Sequence, residues 1–223
     1  MYDFIDVNEQ PDKILSAEAV SINGEYLDEI IPGFKTLYVQ GREMIAPELK
    51  SKTVGSRHGE VLLNSRYTDR KIVVGYQLIA EDGSAFREAY IKLMDKLNLP
   101  NSRIIFFDEE DKYWTGTLCN VGDVPTGVNA VTAEFTIGCL DPLKYSVIAE
   151  EVNPSLDGGK AFYVDYKGTM TAHPSVVVEF TGDCGYVALF DETKHALQFG
   201  NPDEIDGITT QESKMLVNTS FTI

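Results

Sequence analysis

The sequence predicts a mainly β protein, of the all-β or α+β class, in which a β-barrel-like first domain packs one α-helix and a β-sandwich follows. Three observations support this prediction. Short runs rich in Val, Ile, Thr and aromatic residues recur between turns that contain Gly, Pro, Asn and Asp. Only one segment, near residues 84–98, has apolar residues at helical spacing. Beyond residue 146 the strand patterns continue without any helical period.

Length, composition and charge limit the class of protein. At 223 residues, the chain is long enough for two domains, which we expect at residues 1–146 and 147–223. Its 43% of hydrophobic and 24% of charged residues are usual for globular proteins. Its formal net charge of −16 repels phosphate backbones, so we expect no nucleic-acid partner.

Membrane segments and disulfide bonds are not expected. The sequence lacks an apolar window long enough to cross a bilayer, and its acidic start differs from a signal peptide. We therefore expect synthesis in a cytoplasm. Cys119, Cys139 and Cys184 are odd in number and not closely spaced, which predicts buried, reduced thiols.

The first domain is predicted to contain a hairpin, a long strand and the single helix. Asn23-Gly24 forms the tight turn after a strand that ends at Ile22. The β-branched run Lys71–Ala80 predicts a strand. Ser84 is the expected N-cap of the helix, which ends at Asn98.

Residues 42–60 are predicted to form a long irregular arm. Charged residues and the breakers Pro47, Gly55 and Gly59 interrupt any helical or strand period. A segment of this length without structure of its own is uncommon in a compact monomer, whereas a self-assembling protein would use it to reach a neighbouring subunit. The side chains expected at that subunit interface are Met44, Ile45, Leu49, Val54 and Arg57.

Four adjacent carboxylates are predicted at the tip of a second hairpin in the first domain. The hairpin joins strands near Arg103–Phe107 and Tyr113–Leu118. Solvated neighbours of one charge do not divide into a catalytic acid and base, so we disfavour a peptidoglycan hydrolase. We interpret the tip as a solvated turn or as a docking contact for a partner. Its residues are Asp108, Glu109, Glu110 and Asp111.

No enzymatic activity, cofactor or metal is expected. The histidines His58, His173 and His195 are not within metal-ligand spacing of one another or of a cysteine. Cys184 and His195 are the one pair that fits a nucleophile and its base. No family motif surrounds Cys184, however, and the run Gly182–Gly185 is more simply a turn.

The second domain is predicted to be a β-sandwich with strands at 161–166, 175–180, 186–190 and 195–199. An apolar last strand, Met215–Ile223, predicts that the chain is a fragment of a longer protein or that something else completes this domain.

Sugar binding requires an exposed aromatic platform. Trp114 lies on a predicted strand of the first domain, where core packing is the expected role. In the second domain, strand alternation also favours core packing for the aromatic residues. The candidate platforms there are Tyr163, Tyr166, Tyr186 and Phe190.

The order of these elements resembles the distal tail protein of long-tailed phages that infect Gram-positive bacteria. Four stretches carry the resemblance, and their order is more specific than any one of them. They are the hairpin at Ser21–Gly24, the strand and helix over Ile72–Leu97, the hairpin through Tyr113–Gly116, and Cys139–Ser146, which contains an Asp-Pro-x-Lys-Tyr ending. In the second domain, Val164–Pro174 is similar to the opening strands of the family's galectin-like domain.

The resemblance implies a structural hub of the tail tip or baseplate. The first domain would form a homohexameric ring, with the arm at 42–60 holding the adjacent subunit. The ring would join the tail tube protein to a tail-associated lysin, fibre or adhesion protein, with the tape measure protein as a further partner. The second domain would be a partial galectin-like sandwich, and the protein would be located at the virion tail tip.

A second hypothesis belongs to a different class of function. The second domain could be a carbohydrate-binding module that recognises host cell-wall polysaccharide. Exposed aromatic side chains in that domain would favour this hypothesis, whereas an arm that only a second copy can cover would favour the ring.

Overall fold

The computed structural model divides the chain into two compact units, Met1–Glu150 and Glu151–Ile223. Over the residues that the structure describes, the fold is mainly β with antiparallel strand pairs, as the sequence predicts. No helix among them has the length and apolar character needed to cross a membrane. The described residues are 15–124, 127, 129–153, 164–179, 186–190, 196–200 and 214–218.

The first unit contains ten of the described strands and both described helices. The strands are β1 (Val20–Ile22), β2 (Glu25–Tyr26), β3 (Phe34–Gln40), β4 (Glu48–Lys52), β5 (Val61–Arg66), β6 (Arg70–Ile79), β7 (Ser102–Phe106), β8 (Glu109–Val121), β9 (Ala130–Cys139) and β10 (Tyr145–Ser146). The helices are α1 (Leu27–Ile30) and α2 (Gly83–Leu97).

Strand β8 belongs to two sheets and thereby gives the first unit its barrel-like curvature. Along the sheet the strand order is β2-β1-β7-β8-β9-β6-β3. The first part of β8 pairs with β7 and its last part pairs with β9. The strand passes from one partner to the other between Gly116 and Thr117, and its register with β9 shifts between Leu118 and Asn120. The two sheets therefore share one core.

That core is apolar and rich in aromatic side chains. Trp114 is buried, which confirms its predicted role in the core, and its ring meets that of Phe106 edge-on at a centroid distance of 5.7 Å. Tyr76 stacks on Phe34 and contacts Phe135. Alternate residues of β9 point inward, with Val131, Phe135 and Ile137 buried.

Helix α2 packs against this core along one face. Its N-cap is Asp82 and not the predicted Ser84: the Asp82 carboxylate accepts hydrogen bonds from the N–H groups of Ser84 and Ala85, both at 2.8 Å. A carboxylate is also favoured here by the positive end of the helix dipole. The buried face consists of Phe86, Ala89, Leu93 and Leu97.

The end strand β3 pairs with β6 along one edge, and side chains from other segments bind N–H groups on its free edge. Asp28 of α1 accepts hydrogen bonds from the Thr36 N–H at 3.0 Å, the Thr36 hydroxyl at 2.6 Å and the Ser16 hydroxyl at 2.9 Å. Glu18 accepts from the Val39 N–H at 3.2 Å. Helix α1 was not predicted from the sequence.

In the second unit, the described strands form two separate pairs, β11 with β14 and β12 with β13. Residues 164–166 are irregular and do not form the predicted strand; residues 161–163 of that prediction lie outside the described residues. The strands are β11 (Ser175–Glu179), β12 (Tyr186–Phe190), β13 (Ala196–Gly200) and β14 (Lys214–Asn218).

We expect Asp28→Ala to lower the free energy of unfolding of the first unit by about 2 kcal/mol, because Thr36 loses a charged acceptor for two hydrogen bonds. Lys35→Ala, at an exposed position of the same strand, is the matched control and should cost less than about 0.5 kcal/mol. Urea unfolding followed by the fluorescence of Trp114 measures both. Equal effects of the two substitutions would contradict this role of Asp28.

Candidate assembly surface

The predicted arm is a β-hairpin inserted between two neighbouring strands. Strands β3 and β6 pair with each other, so both ends of the segment 41–69 lie at the same edge of the sheet. Within the segment, β4 and β5 form a two-stranded sheet of their own. We name residues 48–66 the arm hairpin.

The prediction of an irregular arm that ends at residue 60 was therefore wrong. Gly55 and Gly59, which were interpreted as breaks in any regular structure, have positive φ angles of 52° and 81° and lie in the connection between the two strands. The return strand Val61–Arg66 lies beyond the predicted end. Its apolar run Val61-Leu62-Leu63 was the available signal, but it lacks the alternation that identifies a half-buried strand.

The two faces of the arm hairpin differ in polarity. One face is mostly polar: Glu48 lies opposite Arg66, Lys50 opposite Asn64 and Lys52 opposite Val61. The other face pairs Leu49 with Ser65 and Ser51 with Leu62. The register shifts between Lys50 and Ser51, so Leu63 is the extra residue of a bulge.

The arm hairpin leaves its leucine side chains exposed. Leu49, Leu62 and Leu63 are 62%, 57% and 56% exposed, and every other residue of both strands is exposed as well. An isolated two-stranded hairpin is marginally stable in water. Its leucines therefore make it a candidate surface for contact with another chain.

The root of the arm is held by Arg70 and Gly41. The Arg70 guanidinium donates to the carbonyl oxygens of Gly41, Glu43 and Pro142, the last two at 2.8 and 3.1 Å. Gly41 has a φ of +88°, and a Cβ there would lie 2.0 Å from the Lys71 carbonyl oxygen. Arg70 thus ties the beginning of the arm to the segment that leaves the first unit.

Arg42, the next residue of the arm, is mostly buried in an ionic cluster. Its Nη1 lies 2.9 Å from Asp108 and 3.5 Å from Glu18, and its Nη2 lies 3.7 Å from Glu109. Its guanidinium stacks over the ring of Phe106 at 4.4 Å. The cluster connects the arm, the segment before β1 and the β7–β8 hairpin.

The four carboxylates do not form one solvated tip, contrary to the sequence-based expectation. The turn is Phe107-Asp108, and Glu109 already begins β8. Asp108 and Glu109 pair with Arg42, and Glu109 also pairs with Lys144. The side chains of Glu110 and Asp111 lie beyond this cluster, where Glu110 accepts from the Tyr26 hydroxyl at 2.7 Å and Asp111 pairs with Lys112 at 2.7 Å. A docking role for the tip stays a prediction.

The Asp-Pro-x-Lys-Tyr motif has a structural role at the end of the first unit. Asp141 accepts from the Leu143 N–H at 3.0 Å and from the Tyr145 hydroxyl at 2.6 Å. Lys144 pairs with Glu109 and lies 5.5 Å from the centre of the Trp114 ring. The motif therefore fastens the end of this unit to β8, with which β10 also pairs.

The structure places the predicted interface residues in different parts of the arm. Met44 is 98% exposed near the root, and Ile45 is half-buried. Leu49 is on β4, whereas Val54 and Arg57 are exposed in the connection between the strands, where the Arg57 N–H donates to the Val54 carbonyl. Of the predicted residues only Leu49 lies on the face that carries Leu49 and Leu62, which we name the leucine face.

The cysteines and histidines considered in the sequence analysis do not form a site among the described residues. Cys139 is buried, and burial raises its pKa to about 11, whereas Cys119 is exposed, contrary to expectation. His58 and His173 are exposed, and no group of three metal ligands occurs among the described residues. Residues 184 and 195, the proposed nucleophile and base, lie outside the described residues.

Two of the four aromatic candidates in the second unit are exposed. The Phe190 side chain is 71% exposed, and Tyr166 is 40% exposed with its hydroxyl bonded to the Met170 carbonyl at 2.5 Å. Tyr163 lies outside the described residues, and of Tyr186 only the backbone is described.

Two sheets that share one strand, and an extended hairpin with exposed leucines, define the first unit. Residues 23–139, just over half of the chain, match the family model of the phage tail protein RIFT-related domain. The chain therefore belongs to this family of phage tail proteins.

A solved structure provides a more particular comparison. The Dit protein of phage SPP1, described as a paradigm of the hub adsorption apparatus in phages that infect Gram-positive bacteria, is similar to this chain with a TM-score of 0.64. The two share 19% identity over 82% of this chain and 74% of that one. No curated protein sequence matches the chain significantly. The family match and this structure confirm the resemblance to phage distal tail proteins.

We expect Arg42→Ala to lower the free energy of unfolding of the first unit by about 2–3 kcal/mol, because it leaves the carboxylates of Asp108 and Glu109 with one cation fewer and uncovers Phe106. Arg66→Ala removes the same charge from an exposed ion pair and should cost less than about 1 kcal/mol. Urea unfolding compares the two variants. A similar loss in both would contradict the role of Arg42.

Proposed function

We propose that this chain is a structural hub of the phage tail tip, in which identical copies close into a ring. The ring joins the tail tube protein to the tail-associated lysin or fibre protein, with the tape measure protein as a further contact, and the role is structural and not enzymatic. The observation that carries the proposal is the arm hairpin, which extends from the sheet edge with its leucine face exposed.

Burial of the leucine face and of the adjacent bulge residue Leu63 would stabilise such an assembly. Leu49, Leu62 and Leu63 are each more than half exposed. Covering the exposed part of each side chain would contribute about 1 kcal/mol. A closed ring repeats this contact at every interface, and each copy is held by two neighbours.

The arm is long enough to cross a neighbouring subunit. From its root at Gly41 to the connection at Gly55, an extended chain spans at most about 45–50 Å. A unit of the size of Met1–Glu150 has a radius of gyration of about 15 Å, hence a diameter of about 40 Å. The pairing of β3 with β6 fixes the direction in which the arm leaves.

One arm per copy implies a head-to-tail interface. A copy that offers an arm on one side and receives one on another makes a heterologous contact, which generates a ring when the rotation closes. The family of phage tail proteins and the hub described for the SPP1 protein support placing this ring at the tail tip. Six copies are the number that the distal tail resemblance implies.

Replacing residues 49–65 by Asn-Gly tests the ring directly. Glu48 and Arg66 remain opposite each other, and Asn-Gly closes a two-residue hairpin turn between them. We expect the natural chain to form a ring in electron micrographs and a discrete oligomer in light scattering, and the shortened chain to remain a folded monomer.

Two point variants provide the matched control within the intact hairpin. Leu62→Ser removes an apolar side chain from the leucine face, whereas Asn64→Ser changes the polar face of the same strand. The oligomer of the Leu62→Ser variant should dissociate at an about tenfold higher protein concentration than the natural oligomer. Asn64→Ser should leave this concentration unchanged. A natural chain that stays monomeric at high concentration would contradict the ring, and unchanged assembly of the shortened chain would exclude the arm.

A second candidate function is carbohydrate binding by the second unit, and the exposed ring of Phe190 favours it. If Phe190 is a sugar platform, Phe190→Ala should abolish binding to host cell-wall polysaccharide in a pulldown. Val177→Ala, at another exposed apolar position of the second unit, is the control and should leave binding unchanged. Absence of any signal with the natural chain would reject this function.

A further inference from the structure

The arm hairpin differs in charge from the rest of the chain. Residues 48–66 contain four basic and two acidic side chains, a net charge of +2, whereas the remaining residues contain 15 basic and 33 acidic side chains, a net charge of −18. A basic hairpin is therefore attracted to the surface of another copy of the same chain. Within the proposed ring, the receiving surface should be apolar at its centre and acidic at its rim.

One surface of the first unit has these properties. The turn residue Phe107 is 44% exposed, and its ring meets that of Tyr26 edge-on at a centroid distance of 6.0 Å. The Phe107 N–H donates to the Ala19 carbonyl at 3.0 Å, which anchors the turn against β1. The two rings thus form a fixed aromatic platform, which we name the Tyr26–Phe107 patch.

Carboxylates flank this patch. Glu110 accepts the hydrogen bond of the Tyr26 hydroxyl. Burial, the hydrogen bond to Glu110 and the negative charges of Glu110 and Glu29 raise the pKa of Tyr26 well above its usual value. The apolar centre and acidic rim complement the leucines and basic side chains of the arm hairpin.

The position of the patch also suits a ring. Phe107 lies between Phe106, over which Arg42 stacks, and Asp108, with which Arg42 pairs, so the patch adjoins the root of its own arm. Copies in a ring are related by rotation alone, and equivalent points therefore lie at one height around the axis. An arm that left its copy perpendicular to the ring axis would meet the patch of the next copy at the height from which it started.

We propose that the arm hairpin of one copy docks onto the Tyr26–Phe107 patch of the next copy. The leucine face covers the ring of Phe107. Lys50, Lys52 and Arg66 lie on the opposite face of a ribbon only two strands wide, and their long side chains extend past its margins toward the carboxylates at the rim. This inference rests on the proposed ring and specifies its interface.

Mixing two assembly-defective chains tests the docking. One chain has residues 49–65 replaced by Asn-Gly and keeps its patch. The other keeps its hairpin and carries Phe107→Asn, a substitution suited to a turn position. Each alone should be monomeric, and the equimolar mixture should form a dimer in light scattering, because it restores a single hairpin–patch contact.

Two control variants and two tests of the charge contribution accompany this experiment. Combining the hairpin replacement with Phe107→Asn in one chain should abolish the dimer with the Phe107→Asn chain. Leu99→Asn, at a similarly exposed apolar position, should leave the ring intact. Glu110→Lys, which keeps Phe107, should weaken assembly at least tenfold, and higher salt should weaken the natural interface.

The results distinguish this inference from the proposed function. If Phe107→Asn and Glu110→Lys chains both form normal rings, the patch is not the receiving surface, although the ring stands. If the two defective chains are each monomeric and do not pair when mixed, the arm hairpin and the Tyr26–Phe107 patch do not bind each other. The docking is then overturned. If the natural chain forms no ring, the proposed function itself fails.

Discussion

The guanidinium group of Arg42 is the contact on which the arrangement of the first unit depends most. It stands where the chain leaves β3 and enters the arm, and it faces carboxylates from two other segments. One of them, Glu18, also accepts from the backbone of β3. Because the cation is mostly withdrawn from water, its attraction to these groups is weakly screened, so the start of the arm has a defined position.

This anchoring explains how a long exposed hairpin can serve assembly. A ribbon attached through a flexible hinge would lose much conformational freedom on binding a neighbour, which would weaken the contact. Here Arg42 and Arg70 fix the root from two sides, and Gly41 makes the turn that brings the two guanidinium groups to it. The hairpin would therefore lose less conformational entropy on binding a second copy.

The sequence predicted the fold where local pattern and burial coincide. The strand Arg70–Ile79 and the helix Gly83–Leu97 were found because β-branched runs and helical spacing reflect burial in one core. The short helix α1 was missed because four residues are too few for a period. The arm hairpin was missed because neither of its strands is buried by the chain itself, and without burial no alternation is selected.

The site was predicted in part for the same reason. Leu49 was predicted to be an interface residue, which stays a prediction, and Leu62 on the same face becomes visible only once the register of β4 and β5 is known. The acidic run at 108–111 drew attention to the correct turn, but sequence alone cannot tell which of its carboxylates meets Arg42 or Tyr26. The exposure of Phe107, between these residues, could not be predicted from the sequence.

The carboxylates that bind β3 have a consequence for growth of the assembly. An uncovered strand edge would let copies add to one another through backbone hydrogen bonds without limit, as in a fibre. Asp28 and Glu18 occupy N–H groups at that edge. Subunits are thereby steered away from indefinite edge-to-edge stacking, which is compatible with the closed ring proposed above.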